Sequence, residues 1–136
     1  MNPGQPFSAL HKTASGGEMA RLMLALKVVT STQKNLATQI FDEIDQGVSG
    51  AIALAIGKRL RRLGECGQVM AITHSAQVAS QAHHHLIVQK EQGQTTTSTN
   101  VLSLGEPDRV NEIARMLSGQ QINDVARKAA IELMKG

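Results

Sequence analysis

Apolar residues first recur at helical steps. Met19, Leu22, Met23, Leu26 and Val29 follow three- and four-residue spacings, which predicts an amphipathic helix with one apolar stripe. Ser15 stands where an N-cap belongs, and Glu18 three residues later completes a capping box. Residues 1–14 precede this helix with two Pro, one Gly and little periodicity, and read as loop or frayed strand. A β-type stretch around Leu36–Ile44 follows and ends in Asp42 and Glu43. Ser49 then caps a second helix to about Leu63, with Ile52, Ile56, Leu60 and Leu63 on its inner face and Gly64 as its stop. Gln68–Thr73 reads as a buried strand, followed by His74 and a short helix to about Gln81. Leu86–Lys90 and Thr95–Leu104 predict a hairpin around Gln92 and Gly93. Two helices close the chain, one with Val110, Ile113, Ala114 and Leu117 inward, the other with Ile122, Val125, Ala129 and Leu133. Gly119 separates them, and no internal repeat is present.

Helices alternating with strands predict an α/β fold with a largely parallel sheet, a β-hairpin and two C-terminal helices. Such a sheet normally opens with a strand and a phosphate loop. This sequence opens in a loop leading to a helix, so a missing N-terminal half is expected.

Composition narrows the function classes. The hydrophobic fraction of 41% and charged fraction of 18% are those of a globular chain of one small domain, or a piece of a larger one. With two Phe and no Trp or Tyr, the core must be aliphatic, and stacking on nucleic-acid bases is nearly excluded. The net charge of +3 permits weak attraction to phosphates but does not by itself imply DNA binding. A single Cys66 excludes an internal disulfide and a multi-cysteine metal site, and fits a reducing cytoplasm. No apolar run reaches membrane-spanning length, so no membrane partner is expected.

Three short motifs carry candidate chemistry. Ser15, Gly16, Gly17 and Glu18 place two glycines at a helix start, where free N–H groups and the dipole suit a terminal phosphate. The bland alternative is a flexible turn with an ordinary cap. Asp42 and Glu43 end a strand at the edge where ligands bind in open α/β sheets. There Asp42 can hold Mg²⁺ through hard oxygen ligands, and Glu43 can orient and deprotonate a water. A solvated strand end is the alternative. His74, just past the next strand, could contact a γ-phosphate or be a surface histidine.

Order and spacing are more specific than the parts. A Ser-Gly-Gly-Glu helix start, a strand ending Asp-Glu about 25 residues on and a strand ending in His about 30 further resemble the signature motif, Walker B motif and switch histidine of ABC ATPases. Residues 45–50 fall where that family has its D-loop. Glu18, where transporters usually have Gln, points to the SMC-like, DNA-repair branch, as do residues 14–21, 41–50 and 69–79. The resemblance covers essentially the whole chain.

The resemblance implies the C-terminal half of a P-loop NTPase head over residues 1–136, using ATP and Mg²⁺ in the intact protein. Two heads would sandwich ATP, each site combining one head's phosphate loop, Walker B and switch histidine with the other head's signature motif. Asp42 would then coordinate Mg²⁺, Glu43 act as general base and His74 contact the γ-phosphate in cis. Ser15, Gly16, Gly17 and Glu18 would reach a partner's ATP, with Asp45 and Ser49 at the D-loop crossing. The implied partners are a second head, as a homodimer or the missing N-terminal half, and DNA. The implied role is double-strand break repair and recombination in the bacterial cytoplasm, at the nucleoid.

The sequence departs from the family in two ways. It contains no G-x-x-x-x-G-K-S/T phosphate loop and no coiled-coil heptads, so a fragment or one half of a split protein, inactive alone, is expected. Thr38 and Gln39 put polar residues into a strand that is usually apolar, as on an edge strand or in a fragment under relaxed selection. A stand-alone module that dimerises with, or inhibits, a full-length head is the competing function. A nucleic-acid binder using Lys58, Arg59, Arg61 and Arg62 is a third, although those cations also suit a solvated helix end. His83, His84 and His85, read as strand residues, alternate sides and cannot all face one metal. The six Met read as core filler.

Overall fold

In the computed structural model of the chain, which describes residues 16–30, 36–42, 44–92, 97–119 and 121–136, the expected alternation of elements is present. Helix α1 spans Gly16–Thr30, strand β1 Leu36–Asp42, helix α2 Gly50–Gly64 and strand β2 Gly67–Ile72. A short helix α3 (Ala76–Ser80) leads to the hairpin strands β3 (Leu86–Gln92) and β4 (Thr97–Ser103). Helices α4 (Glu106–Ser118) and α5 (Asp124–Lys135) complete the order. β1 and β2 pair in parallel across α2, and β3 and β4 pair antiparallel. The hairpin's connection at Gly93 and the expected start of its second strand at Thr95 lie outside the described residues.

One apolar core lies between the parallel pair and the helices on one of its faces. Leu24 of α1, Phe41 of β1, Ile44, Val78 of α3 and Ala53, Ile56, Leu60 and Leu63 of α2 form it. A second cluster joins α3 to the two final helices through Ala76, Ala79, Ile113, Ala114, Ala126 and Ala130. Helix α3 bridges them, with Val78 in the first and Ala76 and Ala79 in the second.

Helix phase departs from the sequence expectation on each long helix, and on α2 and α5 a small residue takes the buried place of a larger neighbour. On α1 the inward positions are Gly17, Arg21, Leu24 and Val28, whereas Leu22, Met23, Leu26 and Val29 of the expected stripe are exposed. On α2 Ala53 and Gly57 are buried and Ile52 is turned out. On α5 Ala126 and Ala130 face inward, one step past the expected Val125 and Ala129. Leu117 of α4 is likewise exposed, while Ile113 and Ala114 are fully covered. On α2 and α5 the reason is proximity: helices that approach closely need small side chains at the contact, whatever the hydropathy of their neighbours.

Gly57 shows this most sharply. A Cβ built there would stand 2.9 Å from Gln81 Cγ, 3.1 Å from the Gln77 carbonyl oxygen and 3.1 Å from Val78 Cα. α2 and α3 therefore touch backbone to backbone. Polar ties reinforce this contact. Arg61 Nη1 donates to the Gln81 carbonyl at 3.0 Å, and the buried Gln81 amide donates to the Leu133 carbonyl at 2.9 Å. Arg109 of α4 donates from Nη2 to the carbonyls of Ala79, Ser80 and Ala82, at and just past the end of α3. A cation at that end also complements the helix dipole.

β2 was expected to be buried throughout, but its exposure alternates residue by residue. Val69 and Ala71 pack toward α2, while Met70 and Ile72, with Ile40 of β1, are open on the other face. Thr38 also lies on the open face, where its hydroxyl donates to Gln68 Oε1 at 2.6 Å across the strands. His83 and His84 precede β3 in a bend rather than within the strand, which removes the alternation expected of them. Among the described residues no group of three His, Cys, Asp or Glu side chains is placed to hold a metal.

Candidate functional site

The carboxyl ends of β1 and β2 lie side by side. Parallel register sets Asp42 opposite Ile72, and His74 follows two residues after Ile72. Asp42 is exposed, and the His74 side chain is 85% exposed. Two candidate side chains thus stand at the edge of a parallel sheet where open α/β folds bind ligands. The exposed carboxyl oxygens of Asp42 are hard donors of the kind Mg²⁺ takes, so the residue fits that role. Glu43 and Ser15 lie outside the described residues.

Asp45 is placed differently from the expectation at the D-loop crossing. Its side chain has no solvent exposure. Oδ2 accepts a 2.5 Å hydrogen bond from the Thr73 hydroxyl and a 3.1 Å bond from the Ser75 backbone N–H. The Ser75 N–H is shared with Thr73 Oγ1 at 3.0 Å. His74 Nδ1 lies 3.9 Å from the same Asp45 oxygen, and Oδ1 is buried without a hydrogen-bond partner among the described residues. The carboxyl group is thus turned inward onto the segment that carries His74, because the nearest donors are there.

The start of α1 packs on the same turn. Gly17 is buried, and a Cβ there would stand 3.4 Å from the Gln46 carbonyl oxygen and 3.0 Å from Arg21 Nη1. Arg21 Nη1 donates to that carbonyl at 3.1 Å. Gly16 is the first helical residue, and Glu18 sits exposed in the first turn, where an acid complements the dipole. Ser49 is the exposed N-cap of α2, and its hydroxyl makes no capping bond. Gly47, at φ 71°, lets the 44–47 turn close.

Sequence reasoning missed Arg21, Thr73 and Ser75. Arg21 could have been found from its spacing, since it follows Gly17 by four residues and shares its face. Thr73 and Ser75 flank the singled-out His74 but bond to a residue 28 and 30 positions earlier, which no local pattern signals. The basic group on α2 is partly committed to structure: besides Arg61, Arg59 Nη1 approaches the Ala55 carbonyl at 3.4 Å.

No protein-family model matches the chain. Its sequence is 44% identical over 133 residues to DNA repair protein RecN of Vibrio cholerae and 42% identical over 134 residues to that of Bacillus subtilis. RecN of Streptomyces coelicolor is also 42% identical over 134 residues. Each alignment takes in 98% of this chain, but the chain spans only about a quarter of the relatives' length (24%, 23% and 23%). A solved SMC ATPase, described for its ATP-driven dimerization and DNA-stimulated activation, superposes with a TM-score of 0.54 at 20% identity, over 87% of this chain and 70% of that one. That likeness establishes the fold. By sequence the chain corresponds to the C-terminal quarter of DNA repair protein RecN, and its fold is that of the SMC ATPase.

Proposed function

We propose that residues 1–136 serve as the C-terminal portion of an ATP-binding and ATP-hydrolysing head in a RecN-type protein of double-strand break repair and recombination, working at the bacterial nucleoid. The observation that supports this most is the parallel register that puts Asp42 and His74 on adjoining strand ends. In this reading Asp42 would hold the Mg²⁺ of the nucleotide, an ion that neutralises phosphate charge when bound. Glu43 would take a proton from the attacking water, and His74 would contact the γ-phosphate. Ser15, Gly16, Gly17 and Glu18 would present the α1 start to ATP held by a second head, with Ser49 at the crossing between heads. Asp45 enters this reading as an internal residue, because its carboxyl group is covered. DNA would be engaged by the intact protein, and a cytoplasmic location accords with the role. Among the described residues no helix is long and apolar enough to cross a membrane.

The phosphate loop is not within these 136 residues, so the test supplies it. ATP hydrolysis is measured with the chain alone, then mixed with the phosphate-loop half of a RecN relative, with Glu43→Gln as control. Activity only in the mixture, abolished by Glu43→Gln, is the expected result. A folded chain that yields no activity in either state overturns the reading. It would favour a second one, in which the chain is an interaction module for a full-length head. The exposed Leu22, Met23 and Val29 of α1 support that alternative, because such a face suits a protein partner.

A further inference from the structure

We infer that Asp45 is a positioning residue for His74, gripping the 73–75 segment from within so that the imidazole is aimed at the nucleotide before it arrives. The inference rests on the proposed role of His74. Residues 73–75 form no helix or strand, and they stand between the end of β2 and the start of α3. Left alone, such a segment would sample many backbone states. Asp45 binds it on both sides of His74, at the Thr73 hydroxyl and the Ser75 N–H. Its own position is fixed, because its side chain is fully covered and it follows Ile44, which is itself fully buried in the core.

Burying a carboxyl group is costly unless donors compensate it, so the two bonds and the segment hold each other in place. Among the described residues nothing comparable restrains the histidine ring, whose side chain is 85% exposed and whose Nδ1 approaches Asp45 Oδ2 at 3.9 Å. Asp45 thus acts on His74 through the backbone and does not touch substrate. The oxygen matters here and not the charge: an Asn side chain offers an acceptor oxygen to Thr73 and Ser75 in the same place, whereas Ala offers none.

The test compares Asp45→Asn, Asp45→Ala and Thr73→Val in two measurements: amide hydrogen exchange at Ser75 in this chain, and ATP hydrolysis in the mixture with the phosphate-loop half. Asp45→Ala should expose the Ser75 amide and lower kcat about tenfold to a hundredfold, the scale of a misplaced catalytic group, with KM for ATP within about twofold. Asp45→Asn should retain both protection and most of kcat. Should Asp45→Ala fail to fold, Thr73→Val carries the test, with a smaller fall in the same two quantities. Parent-like kcat in Asp45→Ala, or in Thr73→Val when that variant carries the test, overturns the inference, as does a fall in kcat with Ser75 still protected. His74→Ala and Glu43→Gln separate the two levels. If both remain active, the reading of the site fails; if both are inactive while Asp45→Ala is not, only the positioning role fails.

Discussion

Two glycines of α2 should respond to alanine with opposite signs. At Gly57 the new methyl group would meet Gln81 Cγ at 2.9 Å, the Gln77 carbonyl oxygen at 3.1 Å and Val78 Cα at 3.1 Å. The Gln81 side chain could swing aside, but it would give up its bond to the Leu133 carbonyl, and the other two atoms are backbone. Forcing a group into such a contact costs about 1–3 kcal/mol, and the backbone partners put this case in the upper part of that range. Alanine regains about 1 kcal/mol of helix propensity over glycine. The net is a loss of about 1–2 kcal/mol. At about 4 °C per kcal/mol for a chain of this size, Gly57→Ala should melt about 4–8 °C lower. At Gly64 the methyl group would meet only His83, at 3.6 Å from Nδ1, an ordinary contact. There the reduced freedom of the unfolded chain should stabilise by about 0.5 kcal/mol. Thermal melts followed by far-UV circular dichroism, with urea titration for the free energies, measure both. A Gly57→Ala variant as stable as the parent would refute the close-approach reading.

Two further outcomes concern stability. Burial, and after it the Arg109 guanidinium, holds the His85 imidazole below its ordinary pKa, with Glu112 opposing. The unfolded chain therefore binds that proton more readily, and the His85 contribution is present above about pH 6.5 and lost as pH falls below it. Urea midpoints taken from pH 7.5 downward should fall over this range, and less so in His85→Gln; equal slopes would exclude His85 as the source. Asn123 caps α5 by accepting the Ala126 N–H at 2.8 Å, so Asn123→Ala should cost about 1 kcal/mol in the same titration, and no change would remove the cap from the account.

The order of elements was legible because each long segment has its own period, 3.6 for the helices and short runs between turn residues for the strands. Which face of each helix is buried was less legible. Reading large apolar residues as core fails at Ile52 and Val125, where Ala53 and Ala126 sit at the contact and the larger neighbours turn outward. Of the candidate site, the placement was legible from types and spacings: Asp42 ends β1 and His74 follows β2, as the pattern expected. The inward turn of Asp45 was not, because it depends on donors from Thr73 and Ser75, distant in sequence and adjacent only once β1 and β2 pair. The exposed face of β2 was hidden for the same kind of reason. An apolar strand reads alike whether one or both of its sides are covered.

The buried positions of the cluster joining α3, α4 and α5 are mostly alanine, with Ala76, Ala79, Ala114, Ala126 and Ala130 around Ile113, and larger half-buried side chains such as Val110, Ile122 and Leu133 packed against them. A core of that kind inverts the usual tolerance to mutation. Truncation can remove little at the alanines, since each has one methyl group to lose, whereas enlargement at those covered positions meets packed neighbours. Drift in this part of the chain should therefore be restricted to Gly, Ala and Ser at those five positions, while the outward Val125, Ala129 and Ile131 vary freely in size. The helical end of the chain is thus specified less by hydrophobicity than by an upper limit on volume.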